Sequence, residues 1–461
     1  MSIACVILAA GLGKRMKAGY PKVLHEICGV TMLESVVDTA RRIKAEKIIV
    51  VAGKHIDLIR KSLSAEDISF ALQKEARGTG HALMCARKEL GGFKGTTVVL
   101  NGDAPLLEHE TIRKFLRLHQ RDRNSLSVLS FKANDPSGYG RVIRDGAGGV
   151  ASIIEEKDAG PDQKTIREVN SGVYALNGEA LLLLDAIRIN RAKGEYYLTD
   201  IIAEAARRRV KAAAYCIGTE EEFMGVNTRD ELRRASFLMR KRIVNKWSER
   251  GVTFIDPGSV FVHAGVTIGR DSVIYPNVYL EGNTKIGRKA TIFPNVRIVN
   301  ADIGAGVVIK DSTVIEESQV RKGASVGPFA HLRPGSQVGD RAKVGNFVEL
   351  KKAVIGKDSK ASHLSYLGDT RIGRGVNIGA GTITCNYDGT HKHTTVLEDG
   401  VFVGSDTQLV APVKVGRGSY IGAGSTITKD VPPGALALSR TVQRIIPGWA
   451  KGKKIRGKPK K

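Results

Sequence analysis

Cysteine is sparse in this 461-residue chain, and its five copies, Cys5, Cys28, Cys85, Cys216 and Cys385, are odd in number and widely scattered. That excludes a disulfide framework and the close pairs of a structural zinc site, and predicts reduced core residues. Long apolar runs are missing too: nothing approaches the roughly 18 uninterrupted residues of a membrane span. The opening, MSIACVILAAGLGKRM, lacks the small-residue cleavage region of a signal peptide, so a cytoplasmic protein is expected. Acidic residues are in short supply, 47 against 72 basic ones, for a net charge of +25. Such a balance suits nucleic acid, a membrane surface, or small polyanions such as nucleotides and sugar phosphates, and does not choose among them.

The chain is too long for one core, because single cores stop growing at roughly 250 to 300 residues. Its two halves have different periods. Up to about residue 225, β-branched runs (IACVIL, EKIIVVAG, TTVVLNG, LSVLSF) alternate with helical stretches such as LESVVDTARRIKA. This alternation predicts βαβ units and a mostly parallel sheet, with ligands at the carboxyl ends of the strands. In TRDELRRASFLMRKRIVNKWSERG, Leu232, Met239, Ile243 and Trp247 fall at helical spacing among charges, which predicts a solvated connecting helix with one apolar stripe.

Beyond residue 251 the apolar period becomes six. Ile268, Ile274, Leu280, Ile286, Ile292 and Ile298 hold the frame, followed by Val314, Val320, Val326, Leu332, Val338, Val344 and Leu350, then Ile372 and Ile378, then Val403 to Ile427. A six-residue repeat with one inward aliphatic per edge is the signature of a parallel β-helix. The frame breaks between Ala361 and Arg371 and between Thr384 and Val396, where polar and aromatic groups predict functional loops. The basic end, AKGKKIRGKPKK, reads as a solvated tail, with polyanion contact as the alternative.

After the first strand comes LAAGLGKRMKAGYPKVLH. Its glycines let backbone N–H groups approach an anion, while Lys14, Arg15 and Lys22 neutralise phosphate charge. It is neither the dinucleotide fingerprint nor a Walker loop, since the required glycine and Gly-Lys-Ser/Thr spacings are missing. The full string resembles the signature of the sugar-1-phosphate nucleotidyltransferases, with Lys14 standing where that family usually has Thr.

QKEARGTGHA resembles the family's uracil-reading segment, and LNGDAPLL sets Asp103 at a strand end where a carboxylate could hold Mg²⁺. Asn101 stands where relatives often carry an aromatic. The resemblance implies catalytic roles for Arg15 and Lys22, and a nucleotide and sugar-nucleotide site formed by Leu8, Ala10, Gly11, Lys22, Gln73, Gly78, Thr79, Gly140, Glu155, Asn170 and Asn227. It also implies Mg²⁺ on Asp103 and Asn227. Such a set suffices in principle, because nucleotidyl transfer depends mainly on positioning and charge neutralisation.

From residue 3 to about 448 the two halves together resemble the bifunctional bacterial enzymes that make UDP-N-acetylglucosamine from glucosamine 1-phosphate, acetyl-CoA and UTP. The resemblance implies an α/β nucleotidyltransferase (Rossmann-like) domain at 1–228, a linker helix at 229–250, a left-handed parallel β-helix of hexapeptide repeats at 251–448 carrying acetyltransferase sites, and a basic tail at 449–461. It further implies a homotrimer. Arg333, Lys351, Tyr366, Asn377 and Lys392 match the glucosamine-1-phosphate site, and Asn386, Tyr387, Ser405, Ala423 and Arg440 match the acetyl-CoA groove. His363 matches the general base, a role histidine suits because a protonated sugar amine cannot attack a thioester. His391 and His393 lack a carboxylate or cysteine partner at ligand spacing, so a metal is not expected there. The rival readings are a nucleotidyltransferase on an inert β-helix, a silent regulatory subunit, and, less favoured, a nucleic-acid binder.

Overall fold

The computed structural model describes residues 2–11, 13–63, 66–190 and 194–452. The side chain of Lys14 and most of the basic tail lie outside the described residues. The chain divides into two compact units, Met1–Ile243 and Val244–Lys461. Among the described residues no helix is long and apolar enough to cross a membrane.

The first unit is built on a mixed sheet. Its strand order is Ala212–Cys216, Leu126–Lys132, Glu168–Leu176, Thr96–Asn101, Ile3–Leu8, Lys47–Ala52, Ile68–Leu72. The central strands are parallel, whereas Glu168–Leu176 runs antiparallel to both of its neighbours. Ile3–Leu8 reads as an unbroken apolar run because both of its faces are covered: Cys5 and Ile7 join one buried cluster, Ala4 and Val6 another. Val6 and Ile7 each contribute about 1.5–3 kcal/mol by that burial. The helix Met32–Arg42 starts on a capping box, in which Thr31 Oγ1 accepts from the Glu34 N–H (3.1 Å) and Glu34 Oε2 accepts from the Thr31 N–H (2.6 Å).

Helix Arg229–Glu249 spans the boundary between the units. Its first half is no free connector: Ala235 and Leu238 are buried with Ile27, Met32, Leu106, Met224 and Val226, and Leu232 and Met239 pack against them. The cysteines are all free, but only Cys5 is a core residue, and Cys216 is exposed.

The second unit is a prism of short parallel strands stacked coil on coil. Lys285–Ile286, Asp302–Ile303 and Gln319–Val320 show the advance along one wall, with Ile286, Ile303 and Val320 paired in register and buried. Before Ile372, successive positions on this wall are 17 or 18 residues apart, so some steps contain five residues. This corrects the expected frame at Val314. The step from Ile298 to Ile303 is short, which makes Ile315 the buried residue and leaves Val314 only half-buried.

The expected break at ASHLSYLGDT is not one. Lys360–Gly368 is a continuous strand in parallel register with Lys343–Lys351, and Leu367 is buried six residues after Ala361. The stretch after Cys385 does leave the coil, folding back through an antiparallel bridge between Tyr387 and Lys392.

Candidate active sites

In the first unit the glycine-rich segment folds around Lys22. A Cβ on Gly13, whose φ is +60°, would sit 2.7 Å from the Lys22 Cβ, so both backbone angle and space call for glycine there. Lys22 opens a short turn after Pro21 and is buried. Its ammonium is ion-paired with Asp103 and donates to Asn227 Oδ1 at 2.8 Å. Asp103 follows the end of strand Thr96–Asn101. Asn227 is held by the start of helix Arg229–Glu249. There the Glu231 carboxylate accepts from the N–H groups of Asn227 (2.6 Å) and Thr228 (2.9 Å), while Thr228 Oγ1 accepts from the Glu231 N–H (3.2 Å).

Asp103 Oδ2 and Asn227 Oδ1 therefore converge on one point, where the Lys22 ammonium places positive charge. Two such oxygens fit a hard divalent cation that completes its shell with phosphate and water. Among the described residues no three His, Cys, Asp or Glu side chains converge to cage a metal by themselves.

A cavity of about 230 Å³ adjoins this cluster, and Leu8, Thr79, Asp103, Gly140, Glu155, Asn170 and Asn227 of the expected set line it. Asn170 is oriented by Tyr174, whose hydroxyl accepts from its Nδ2 at 2.8 Å, and Glu155 accepts from the Thr199 hydroxyl at 3.0 Å. Gln73 is buried and donates to Gly78 O at 3.1 Å, and Gly78 has φ +92° and abuts the Tyr196 backbone. Arg15 is exposed on the turn Lys14–Met16; neither it nor Ala10, Gly11, Gln73 and Gly78 lines the cavity.

The expected site residues of the second unit fall mainly on two different edges of the prism. On one edge, Arg333, Lys351 and Gly368 stack in successive coils, with Lys351 in register with Gly368 and the Arg333 N–H donating to Leu350 O at 2.9 Å. The Lys392 ammonium, brought in by the extruded loop, lies against Lys351. Together with desolvation and the nearby Arg333, it holds the Lys351 ammonium below the usual lysine range. Arg333 also pairs with Glu349 at 3.0 Å. Three cations gather at one spot, and among the described residues only Arg333 is paired with a carboxylate, an arrangement with the charge to hold an anion. A Cβ on Gly368 would lie 2.6 Å from the Tyr366 hydroxyl and 2.8 Å from Asn386 Nδ2, so glycine lets these two polar groups meet beside the cations. Asn386 donates to Asp369 Oδ2 at 2.5 Å and is buried, whereas Tyr387 is exposed.

The other edge carries His363. Backbone hydrogen bonds step from coil to coil there: Gly381 N–H to Leu364 O, Asp406 N–H to Ala380 O, and Gly424 N–H to Ser405 O. Ala361, Ile378, Val403 and Ile421 are register partners in successive coils, and His363, Ala380, Ser405 and Ala423, each two residues further on, line the same edge. Arg440 Nη1 donates to Ala423 O at 3.2 Å and closes its end. His363 is exposed, and its Nδ1 is 2.6 Å from Asn346 Oδ1.

Residues 5–184 match the family of MobA-like NTP transferase domains, and residues 394–429 match the bacterial transferase hexapeptide (six repeats). Over 449 residues the chain is 48% identical to the bifunctional protein GlmU of Thermodesulfovibrio yellowstonii, covering 97% of this chain and 99% of that protein. It is 44% identical over 454 residues to the bifunctional protein GlmU of Clostridioides difficile, covering 98% of each. The chain belongs to the GlmU family. It is a bifunctional transferase, with a nucleotidyltransferase unit followed by a hexapeptide-repeat unit that fits a left-handed β-helix.

Set against the other GlmU-type positions, Asn377 stands apart. It sits in the column Lys343, Lys360, Asn377, Phe402, on a different wall from Arg333 and Lys351, so a single chain does not bring it to the cations. Sequence reasoning passed over Tyr139, Tyr174, Thr199 and Phe223, which line the first cavity. Tyr139 is adjacent to the expected Gly140, which was the available signal; Thr199 had none. The extruded loop also holds a carboxylate that spacing did not reveal: Asp388 Oδ2 is 2.7 Å from His393 Nε2. A pair is still short of a metal site.

Proposed function

We propose that the second unit transfers acetyl from acetyl-CoA to the amine of glucosamine 1-phosphate. The first unit then transfers uridylyl from UTP to the resulting N-acetylglucosamine 1-phosphate, giving UDP-N-acetylglucosamine and pyrophosphate. The observation that carries this reading is the pairing of two independent constellations, Lys22 with Asp103 and Asn227 beside a cavity, and three clustered cations with a histidine edge. An inert β-helix needs no second constellation of this kind.

In acetyl transfer, Arg333, Lys351 and Lys392 hold the sugar phosphate, and Tyr366 and Asn386 orient the sugar and the acyl group. His363 Nε2 takes a proton from the amine as nitrogen attacks the thioester carbonyl, and the thiolate leaves to become the free thiol of coenzyme A. The line of Ser405, Ala423 and Arg440 receives the cofactor, with Arg440 meeting a phosphate. Cations and histidine lie on different edges, and Asn377 on another wall; this supports a homotrimer in which neighbouring copies bring the edges together.

In uridylyl transfer, a phosphate oxygen of the sugar attacks the α-phosphorus of UTP and pyrophosphate departs. Lys22 and Arg15 neutralise phosphate charge, Gln73 and Gly78 hold the uracil, and Glu155, Asn170 and Gly140 hold the sugar. Mg²⁺ on Asp103 and Asn227 would supply further charge neutralisation on the phosphates. We place both reactions in the cytoplasm, with small molecules rather than nucleic acid as partners.

The test is to mix protein, glucosamine 1-phosphate, acetyl-CoA, UTP and Mg²⁺ and follow thiol and pyrophosphate separately, omitting each substrate in turn. Thiol release without UTP is expected, and pyrophosphate only when acetylation can occur or N-acetylglucosamine 1-phosphate is supplied. Pyrophosphate with no thiol under any condition would leave a nucleotidyltransferase on a structural β-helix.

A further inference from the structure

His363 has a side-chain partner in the preceding coil. Asn346 and His363 are register partners in the parallel pair of strands Lys343–Lys351 and Lys360–Gly368. Immediately before them the two coils come together at Gly345, where a Cβ would lie 1.9 Å from Ser362 O. Only glycine permits that approach, and it brings the next side chains within hydrogen-bond reach. Immediately after them the backbone turns through the left-handed region at Phe347 (φ 56°) and Leu364 (φ 43°), so both chains leave the wall together at the edge. The result is the 2.6 Å contact between Asn346 Oδ1 and His363 Nδ1.

With the Asn346 amide oxygen facing the ring, as it does here, the oxygen accepts, Nδ1 carries the proton and the lone pair of the neutral ring is left on Nε2. We infer that Asn346 is the positioning residue of the acetyl-transfer reaction: it fixes the His363 tautomer and ring orientation, through a neutral amide rather than a carboxylate. This inference rests on the reading of His363 as general base. The choice of a neutral partner has a chemical consequence. A carboxylate in that place would favour the imidazolium and keep the ring protonated to higher pH, removing the free base from more of the population. The charged residues on the two paired strands are Lys343, Glu349, Lys351 and Lys360; among the described residues none of them hydrogen-bonds to the imidazole.

The experiment uses the full chain and measures thiol release from acetyl-CoA with glucosamine 1-phosphate across the pH range in which histidine titrates. Pyrophosphate release from UTP and N-acetylglucosamine 1-phosphate serves as the control for folding. Asn346→Ala should lower kcat for acetylation by about tenfold to a hundredfold, below the roughly 10²–10⁴-fold that removing a general base costs. KM for the sugar phosphate and uridylyl transfer should stay near wild type. Asn346→Asp should restore much of the rate at high pH but shift the acidic limb of kcat/KM upward by about one unit or more. The loss of kcat in Asn346→Ala with KM unchanged is what separates positioning from a merely structural role, since any carboxylate beside the ring would move that limb. If His363→Ala abolishes acetylation while Asn346→Ala keeps its rate, the inference is overturned and the base assignment stands. If His363→Ala still acetylates, the base assignment itself fails and takes the inference with it.

Discussion

Glu222 lies in the segment that leads to Asn227, and it is only 3% exposed. Its Oε1 accepts from the Glu108 N–H and its Oε2 from the Thr111 hydroxyl, both at 3.1 Å, at the start of helix His109–Arg121. Burial pushes its carboxyl from 4.5 up to about 7; the two hydrogen bonds oppose that shift, the Glu108 carboxylate adds to it and Arg242 works against it. The folded chain therefore binds this proton more tightly than the unfolded chain. The resulting stability is fully present below the unfolded value of 4.5 and is lost as pH rises to about 7. A gap of about 2.5 pH units at about 1.36 kcal/mol each gives a loss of about 3 kcal/mol. Glu222→Gln copies the protonated form: its amide oxygen takes the Glu108 N–H, and its NH₂ faces a Thr111 hydroxyl that can turn to accept. Urea unfolding of both proteins, with uridylyl transfer as the readout for the first unit, should show equal stability near pH 4.5. Near pH 8 the variant should be more stable by about 2–3 kcal/mol. Cost of the same size at both pH values, or a variant weaker at high pH, would refute the reasoning. It would mean that the ionised carboxylate's bonds to the helix start outweigh its burial.

Asp103→Asn should reduce uridylyl transfer by about a hundredfold or more and raise the Mg²⁺ concentration needed, with thiol release unchanged in parallel assays. Lys351→Met should raise KM for glucosamine 1-phosphate roughly tenfold to a hundredfold, the worth of one hydrogen bond to a charged group, and leave pyrophosphate release untouched. Gly345→Ala pushes a methyl to 1.9 Å from Ser362 O, so calorimetry should show the β-helix destabilised by about 1–3 kcal/mol and kinetics a loss of acetylation.

The β-helix could be read from sequence because its core repeats by position: Ile268, Ile286 and Val338 are buried where the period of six puts them. The five-residue steps could not, because Val314 and Ile315 are both aliphatic and only the stacking of coils decides which faces inward. The same ambiguity hid the continuity of Lys360–Gly368, since polar residues at an outward edge look like a loop when neighbouring coils are not known. In the first unit the strands were evident from apolar runs, but the convergence of Lys22, Asp103 and Asn227 spans 81 and 205 residues of separation, and no local pattern encodes it. Only the family resemblance named those three together.

The two units thus write their sites into the chain in different ways. A doubly wound sheet gathers residues from distant strand ends, so its site follows from topology. A prism gathers residues that differ by whole coils, so its site follows from arithmetic once every coil's length is known. His363 to Ala380 is one short coil, and Ser405 to Ala423 is one full coil. The step from Ala380 to Ser405 is longer only because it contains the extruded loop that delivers Lys392 to the cations. That loop is an insertion between coils rather than a shortened step, and it sets the Lys392 ammonium against Lys351. On this reasoning, shortening the loop to restore the period should leave the His363, Ser405 and Ala423 edge in line while weakening sugar-phosphate binding. A KM rise confined to glucosamine 1-phosphate, with acetyl-CoA unaffected, is the expected outcome, and an equal loss for both substrates would show that the loop supports the edge as well.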